Sequence, residues 1–408
     1  MNTRIALSLS LASALALASG CGGAGDHTRK QANAANEKMS VLKAGTEWSM
    51  GKQAFLAGDL DKALTKVENS LNINDTVVKS HVLKGRILIE QGRMGEALES
   101  LKLAETYGPL DPDAKYYLAI VYERLGEVEL AHENFDAASE LDDMNPSYAV
   151  AAAEMLITMG ELDDAIAYLS SVPTFEHHPG VRQTLGHISM MQHNDEIAVR
   201  YFREAQLLEP EDTEIQEDLV SALIAAGKYA DADSNLVALI SQEGFEKRRD
   251  LMHMRARCLM ELSRPVEART IYQDLTADNA GAMDADAWIG LGNSAFLIGD
   301  ERTLRRAASR IISVDSSIPD GYTLMALYHR SVGSPSDALA SIEQSLDVES
   351  QDASAHAFRG MLLADLGEQV GSIEAFKIAT ELDPSNADYQ SMLDWAAMGN
   401  YATAPTDD

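Results

Sequence analysis

The stretch GDLDKAL, residues 58–64, belongs to a set of related heptapeptides that recur along this 408-residue chain. Every member has Gly at its first position and Ala at its sixth. A phrase that returns at a nearly regular interval indicates a repeat architecture, in which each copy is one small structural unit. The other members are GRMGEAL (92–98), GEVELAH (126–132), GELDDAI (160–166), GKYADAD (227–233) and GSPSDAL (333–339).

A frame of 34 residues aligns these phrases and divides most of the chain into ten copies. The eighth position is Gly or Ala in nine copies, the fifteenth is Gly in eight, and the twentieth is Ala in eight. Each copy has two segments of helical apolar periodicity joined by a short turn. The fifteenth position suits a helix end with positive φ, and the two small positions let helices approach closely. The copies begin at Ala44, Val78, Pro112, Pro146, Pro179, Thr213, Arg249, Ala285, Pro319 and Ala353.

This pattern resembles the tetratricopeptide repeat, a helix–turn–helix unit of 34 residues. The eighth copy carries it as Trp288-x2-Leu291-Gly292-x2-Ala295, and residues 44–386 follow the frame. The resemblance implies an all-α fold, a right-handed α-solenoid of about ten helix-turn-helix repeats, in which neighbouring copies stack to bury their apolar faces. A non-repetitive helical bundle is the alternative.

Departures from the pattern are few. Val220 and Leu304 stand at positions that are small elsewhere, and Lys84 and Arg359 stand where an apolar residue is usual. The frame loses one residue near 173–180 and gains two near both 241–250 and 276–286, so we expect these residues to lie in turns. The predicted segments are a signal peptide (1–20), a lipidated Cys with a tether (21–43), repeats one to six with the following insertion (44–248), repeats seven to ten (249–386), a capping helix (387–400) and a disordered tail (401–408).

The charge of the chain limits its partners. Lys and Arg number 33 against 64 Asp and Glu, which gives a formal net charge of -31. Such a surface repels phosphate, so we expect no nucleic acid partner and no direct attraction of the body to anionic membranes.

The N-terminus begins MNTRIALSLSLASALALASGC, in which one cation precedes an apolar run and then small residues. This is the layout of a secretory signal peptide. Its end, ALASGC, resembles the lipobox of bacterial lipoproteins, which implies cleavage before Cys21 and lipidation of Cys21. Gly22 follows where a lipoprotein retained in the inner membrane would carry Asp, which implies the outer membrane, facing the periplasm. An ordinary signal peptide with an incidental Cys is the alternative.

The sequence offers little support for chemistry. The remaining cysteine, Cys258, lies in an apolar helical pattern and is predicted to be a buried thiol without a disulfide. The histidine cluster 177–193 lacks the spacing of a zinc site on a helix. We find no catalytic motif, and therefore predict a protein that is not an enzyme and has no cofactor and no metal.

The resemblance implies that the first helices of the repeats line a concave groove for peptides or partner proteins. Some of the apolar groove residues have an alternative role in the core between repeats. The resemblance assigns to the groove Trp48, Lys52, Phe55, Arg86, Tyr116, Arg124, His187, Met191, Arg257, Asn293, Phe296 and Arg330.

One basic stripe interrupts the acidic background. Arg302, Arg306 and Arg310 are spaced by four residues, so a helix places them on one face. They form either a solvated face or a docking patch for an acidic partner or for another copy of the chain.

Together these features predict a membrane-anchored protein–protein interaction scaffold of the bacterial cell envelope. Its predicted partners are proteins or peptides, and the membrane through the lipid. Homo-oligomerisation is left open. The alternatives are a pilotin-like assembly factor for a pilus or secretion system, and a scaffold for polysaccharide export or cell-wall assembly.

Overall fold

The computed structural model describes residues 26–171 and 177–398, and within them all regular structure is helical. The predicted signal peptide, Cys21 and the predicted tail lie outside the described residues. Contacts divide the chain into two units, one ending at Ile188 and the other beginning at Ser189.

The first unit contains eight complete helices among its described residues. They are α1 (Asp26–Leu56), α2 (Leu60–Ile73), α3 (Val78–Glu90), α4 (Met94–Tyr107), α5 (Pro112–Leu125), α6 (Val128–Leu141), α7 (Pro146–Met159) and α8 (Leu162–Ser171). The division between the units falls within α9 (Pro179–Met191). The segment predicted as a tether is therefore helical from Asp26 onward and continuous with the first repeat.

The second unit continues the same alternation of first and second helices. Its helices are α10 (Asp195–Leu208), α11 (Thr213–Ala225), α12 (Tyr229–Ile240), α13 (Arg249–Glu261), α14 (Pro265–Leu275), α15 (Ala285–Ile298), α16 (Glu301–Val314), α17 (Pro319–Ser331), α18 (Pro335–Val348), α19 (Ala353–Asp365), α20 (Gln369–Leu382) and α21 (Ala387–Ala397). The last of these packs Leu393 and Trp395 against a core that contains Phe376. The prediction of an all-α solenoid of helical pairs is confirmed.

Local sequence explains where the helices begin. At α5, Pro112 occupies the first turn, where its missing N–H costs nothing, and Asp111 is the N-cap. The Asp111 carboxylate accepts a hydrogen bond of 2.9 Å from the backbone N–H of Ala114. Asp212 and Asp352 cap α11 and α19 in the same way.

The small positions of the frame are points of close helix approach. A Cβ added to Gly85 would lie 2.5 Å from Leu101 Cγ, and one added to Gly360 would lie 2.8 Å from the Phe376 ring. The two larger residues at small positions, Val220 and Leu304, are each 1% exposed and part of the core. The charged departures are satisfied by glutamates of the preceding helix, as Lys84–Glu68 (3.1 Å) and Arg359–Glu343 (3.4 Å).

The fifteenth position of the frame is left-handed in all ten copies. The eight glycines there have φ between +69° and +82°, as in Gly160 at +82°. The other two copies have exposed His193 and Ser263 at this position, with φ of 57° and 55°. The backbone geometry of the turn is therefore kept even where the residue is unfavourable for it.

Replacing His193 or Ser263 by Gly is expected to raise the free energy of unfolding by about 1 kcal/mol, since this backbone strain disappears. Gly160→Ala is the reverse substitution and serves as the control. An added Cβ there meets no atom within 4 Å, so only the positive φ acts, and we expect a loss of about 1 kcal/mol. Urea denaturation measures both changes, and an unchanged midpoint for both His193→Gly and Ser263→Gly would contradict the argument.

The two insertions of the frame lie in connections between helices. Residues 241–248 form the turn before α13, with Gly244 at φ +90°. The insertion before α15 contains a 3-10 turn, Gly281–Met283. It is held by hydrogen bonds from Trp288 Nε1 to the Gly281 carbonyl (3.0 Å) and from Arg310 Nε to the Ala282 carbonyl (2.9 Å).

Candidate partner-binding surfaces

The first helices of the repeats contact one another within each unit. In the first unit α1 touches α3 and α3 touches α5, and in the second α13 touches α15 and α15 touches α17. Helices that meet their counterparts in this way line the inner side of a helical repeat array. The groove residues predicted from the sequence all lie on first helices, and all of them except His187 and Met191 of α9 lie on the six helices named here.

A groove of about 180 Å³ opens on the inner side of the first unit. Its Trp48 ring is fixed by a hydrogen bond of 3.0 Å from Nε1 to the Lys79 carbonyl. The ammonium groups of Lys52 and Lys79 lie 5.6 and 5.8 Å from the ring centroid, within cation–π range. The lining residues are Trp48, Lys52, Lys79, Val82, Leu83, Arg86, Asp111 and Asp113.

Arg86 lies between two aromatic rings in this groove. Its guanidinium carbon is 5.0 Å from the Phe55 centroid and 4.7 Å from the Tyr117 centroid. The opposite charges come from the start of α5, where the Asp113 carboxylate also accepts a 2.9 Å hydrogen bond from the Tyr148 hydroxyl. The groove thus presents cations, carboxylates and an aromatic face together. Three of the predicted residues, Trp48, Lys52 and Arg86, line it, and a fourth, Phe55, contacts Arg86.

Tyr116 and Arg124 are more strongly tied to the protein itself. Tyr116 packs against the rings of Tyr117, Phe135 and Tyr148, with centroids 5.0 to 5.4 Å apart. Burial, reinforced by nearby glutamates, raises the pKa of the Tyr116 hydroxyl. Arg124 donates a long hydrogen bond of 3.4 Å to a carbonyl of α3. Tyr116 therefore has the core role that the sequence left open for some groove residues.

The predicted residues of α9 are both exposed. His187 belongs to the first unit and Met191, 57% exposed, to the second.

In the second unit Arg257 is exposed and lies between two inner-side grooves. One, of about 310 Å³, is bordered by Met254 and by Cys258. The other, of about 390 Å³, is bordered by His253 and Asn293. The structure therefore brings Arg257 and Asn293 together.

The remaining predicted residues of the second unit differ in accessibility. Phe296 is 42% exposed. Arg330 is engaged internally, with Nε 3.3 Å from an Asp365 oxygen and its guanidinium over the Phe358 ring.

The second cysteine is part of the core. Cys258 is 1% exposed and has no disulfide partner among the described residues. Burial raises the pKa of its thiol to about 11, so the thiolate is scarce at neutral pH.

The basic stripe takes a different form from the predicted one. Arg302 and Arg306 are exposed on α16, whereas Arg310 is half-buried and its Nε binds the Ala282 carbonyl. Arg305, three residues after Arg302, joins the exposed pair instead. A shallow groove of about 470 Å³ contains Glu301, Arg302, Arg305, Arg306, Ser309 and Tyr328.

Five arginines between residues 248 and 269 are paired with the chain's own carboxylates. Asp233, only 8% exposed, accepts 2.9 Å hydrogen bonds from Arg255 and Arg264. Arg248 binds Glu217 and Asp250 at 2.9 and 2.6 Å. Arg249 pairs with Asp284 and Arg269 with Asp300.

The described part of the chain contains neither a metal-binding cluster nor a membrane-spanning helix. Residues 26–171 and 177–398 hold no group of three or more His, Cys, Asp or Glu side chains arranged to bind a metal. None of the helices there combines the length and apolar character needed to cross a bilayer.

Comparison with known proteins gives matches in both units. Models of the tetratricopeptide repeat match residues 82–138, 144–287 and 323–387, which together make up more than half of the chain. A curated relative from Bos taurus, the BBSome complex member BBS4, is 24% identical over 215 residues. That match spans 52% of this chain and 41% of the relative, less than half of its length.

Solved structures resemble the chain at lower identity. A tetratricopeptide repeat protein from Parabacteroides merdae is 17% identical, with a TM-score of 0.48 over 65% of this chain and 98% of that one. One chain of the Cut9–Hcn1 hetero-tetramer of the APC/C is 11% identical, with a TM-score of 0.43 over 88% of this chain and 97% of that one. The family models, the ten-copy frame and the paired helices agree, and the chain belongs to the tetratricopeptide repeat family.

Proposed function

We propose that this chain is a lipid-anchored, protein-binding scaffold of the bacterial cell envelope. Tetratricopeptide repeats serve as protein–protein interaction modules, and proteins of this family are generally non-catalytic scaffolds. The observation that supports this role best is the inner groove of the first unit, where Trp48 and Arg86 are held by their neighbours yet remain open to a ligand.

The chemistry of the groove favours a peptide segment with mixed charges. Lys52, Lys79 and Arg86 attract carboxylates, whereas Asp111 and Asp113 attract a basic side chain. Trp and Arg are the residue types that contribute most to binding at protein interfaces, and here neither has to be ordered by the partner. A short segment with neighbouring acidic and basic residues therefore suits this site.

Site-specific photo-crosslinking in cells tests the groove. A benzoylphenylalanine at Lys52 is expected to form a discrete adduct, and one at Val370, which is 80% exposed on α20 of the second unit, is expected to form none. Adding Arg86→Ala should reduce the adduct by at least about fivefold, since a desolvated Arg contact contributes 1 kcal/mol or more. The same adducts at both positions, unaffected by Arg86→Ala, would argue against the groove.

The anchoring part of the proposal is supported by ALASGC and by the apolar run before it. Lipidation of Cys21 would hold the chain at a membrane, since each buried CH₂ contributes about 0.8 kcal/mol and the chains of a lipoprotein act together. Gly22 favours the outer membrane, with the repeats facing the periplasm.

Cys21→Ser is expected to move the protein from the membrane pellet to the soluble fraction. Cys258→Ala is the matched control, because it removes the only other cysteine, which is buried in the second unit, and should stay in the pellet. Immunoblots of fractionated cells measure the distribution. Retention of Cys21→Ser in the pellet would rule out the lipid anchor.

A further inference from the structure

Three arginines of α16 form a compact cationic surface, the α16 arginine patch, made of Arg302, Arg305 and Arg306. Arg305 and Arg306 follow Arg302 by three and four residues and all three are exposed, so Arg302 is the neighbour of both on the helix surface. The Arg305 guanidinium lies 5.7 Å from the Tyr328 ring centroid, and that of Arg306 lies 5.7 Å from the Trp288 centroid. The rings hold two of the three cations in place before any ligand arrives.

The α16 arginine patch differs in its pairing from five arginines between residues 248 and 269. Arg248, Arg249, Arg255, Arg264 and Arg269 all bind carboxylates of this chain. No ion pair within residues 177–398 involves a member of the patch. Of the six residues that border its groove, one, Glu301, is acidic. Three exposed guanidinium groups, two of them held against rings, therefore remain available in a chain of net charge -31.

We propose that the α16 arginine patch is a docking surface for a short acidic segment of a partner protein. Guanidinium groups bind carboxylates with paired, charge-assisted hydrogen bonds, and a ring behind the cation leaves its N–H edges free for them. Ser309 supplies a hydroxyl at the edge of the same groove. Three cations within about one helical turn match two or three carboxylates at similar spacing.

The acidic body of the chain disfavours extended polyanions and a second copy of the chain as occupants of the patch. Charges interact over about 8 Å at physiological salt, so an extended polyanion such as nucleic acid or an anionic bilayer would also meet the surrounding carboxylates. Two copies of the chain would each bring a net charge of -31. A short acidic segment on a different protein meets few of the surrounding carboxylates and does not bring a second body of net charge -31 to the surface.

This surface is separate from the inner grooves and does not depend on the proposed anchor. The patch lies on α16, a second helix of its repeat, and its groove is completed by Tyr328 of α17. A partner bound there would leave the first-helix grooves open, so the scaffold could hold two proteins at once.

Fluorescence anisotropy with the purified full chain tests the proposal. The probe is a labelled helical peptide with Glu at spacings of three and four, and the comparison probe has Gln at the same positions. We expect the Glu peptide to bind at least about tenfold more tightly than the Gln peptide. Its affinity should fall by at least about threefold between roughly 50 and 300 mM salt, because the contacts are exposed.

Three variants locate the binding site. Arg302→Gln, which removes no ring contact found in the structure, should weaken the Glu peptide about threefold, and the triple Gln variant of the patch at least about tenfold. Arg200→Gln is the matched control, since Arg200 is also an exposed arginine over an aromatic ring, that of Tyr201, on a second helix. It should change the affinity by less than about twofold. Circular dichroism melts establish that the variants are folded.

Four results would overturn the proposal. The first is equal binding of the Glu and Gln peptides, and the second is undiminished binding by both Arg302→Gln and the triple variant. The third is a dimer in analytical ultracentrifugation that the triple variant abolishes, which would make a second copy the occupant. The fourth is Arg-dependent sedimentation with phosphatidylglycerol vesicles without binding of the Glu peptide, which would assign the patch to a membrane surface.

Discussion

Replacing Gly281 by Ala is expected to lower the free energy of unfolding by about 3 kcal/mol, at the upper end of what overpacking usually costs. A Cβ at this position would lie 1.8 Å from the Leu275 carbonyl oxygen and 2.9 Å from Thr276 Cα. Both are backbone atoms at the end of α14, so no side-chain rotation relieves the clash.

The same substitution would disturb the attachment of the insertion to the core. Gly281 accepts the hydrogen bond from Trp288 Nε1 and donates its N–H to the Asp278 carboxylate at 2.6 Å. If the turn moves away from Leu275, Trp288, now 8% exposed, loses this partner. We therefore expect a red shift of tryptophan emission together with the fall in stability.

Gly95→Ala is the control for the loss of glycine itself. Gly95 lies exposed in the first turn of α4, where an added Cβ meets nothing within 4 Å. Ala is the better helix former, so this variant should gain about 0.5–1 kcal/mol. Chemical denaturation of both variants decides the question. If Gly281→Ala were as stable as the unmodified chain, the close approach of the insertion to α14 would be wrong.

Truncation of Phe202 to Ala should cost about 4 kcal/mol, the range for a large aromatic side chain removed from a packed core. Phe202 is fully buried in the second unit, in a core cluster with Leu219, Leu223 and Leu236. The surrounding side chains cannot move in to fill the cavity left by the truncation, because they belong to successive helices that pack in fixed register.

Leu207→Ala on the same helix is the control. Leu207 is 81% exposed, so its truncation should change stability by no more than about 0.5 kcal/mol. Repeat arrays also unfold in parts, and hydrogen exchange of the α10 and α11 amides will show whether the loss is local. Equal exchange rates in both variants would contradict the assigned core.

Internal repetition made the fold readable in a single sequence. Ten copies of one frame show which positions must be small or left-handed, in the way that an alignment of relatives would. The turn at the fifteenth position keeps its left-handed backbone even in the two copies that lack glycine. His193 and Ser263 adopt a positive φ there, as the glycines of the other copies do. The same columns also predict that the eighth position must be small because two helices approach closely there, as the structure shows at Gly85 and Gly360.

The surfaces were harder to predict because they depend on side-chain direction and on the insertions. Lys79 is beside Trp48 because the tryptophan binds its carbonyl, a contact that no column of the frame reveals. Arg310 shares the helical spacing of Arg302 and Arg306, but the extra turn before α15 offers it a carbonyl. Arg305 could have been found from its spacing of three to Arg302.

The ion pairs between repeats also have a regular separation that the sequence contains but that only the structure makes visible. Arg248–Glu217, Arg264–Asp233 and Arg269–Asp300 are 31 residues apart, and Arg249–Asp284 is 35 residues apart. Arg264–Asp233 and Arg269–Asp300 thus join one copy to the next, whereas Arg248–Glu217 and Arg249–Asp284 join the first helix of a copy to the residue just before the first helix of the next copy.

These pairs make the copies of the second unit unequal, although their backbones are alike. Deleting residues 285–318, one whole repeat, would preserve every glycine and alanine column. It would nevertheless remove Asp300 and bring Ser334 to the corresponding position, so that Arg269 would lose its carboxylate. The ion pairs thus make each repeat specific to its neighbours. They disfavour the exchange, loss or duplication of copies, which the shared helical frame would otherwise tolerate.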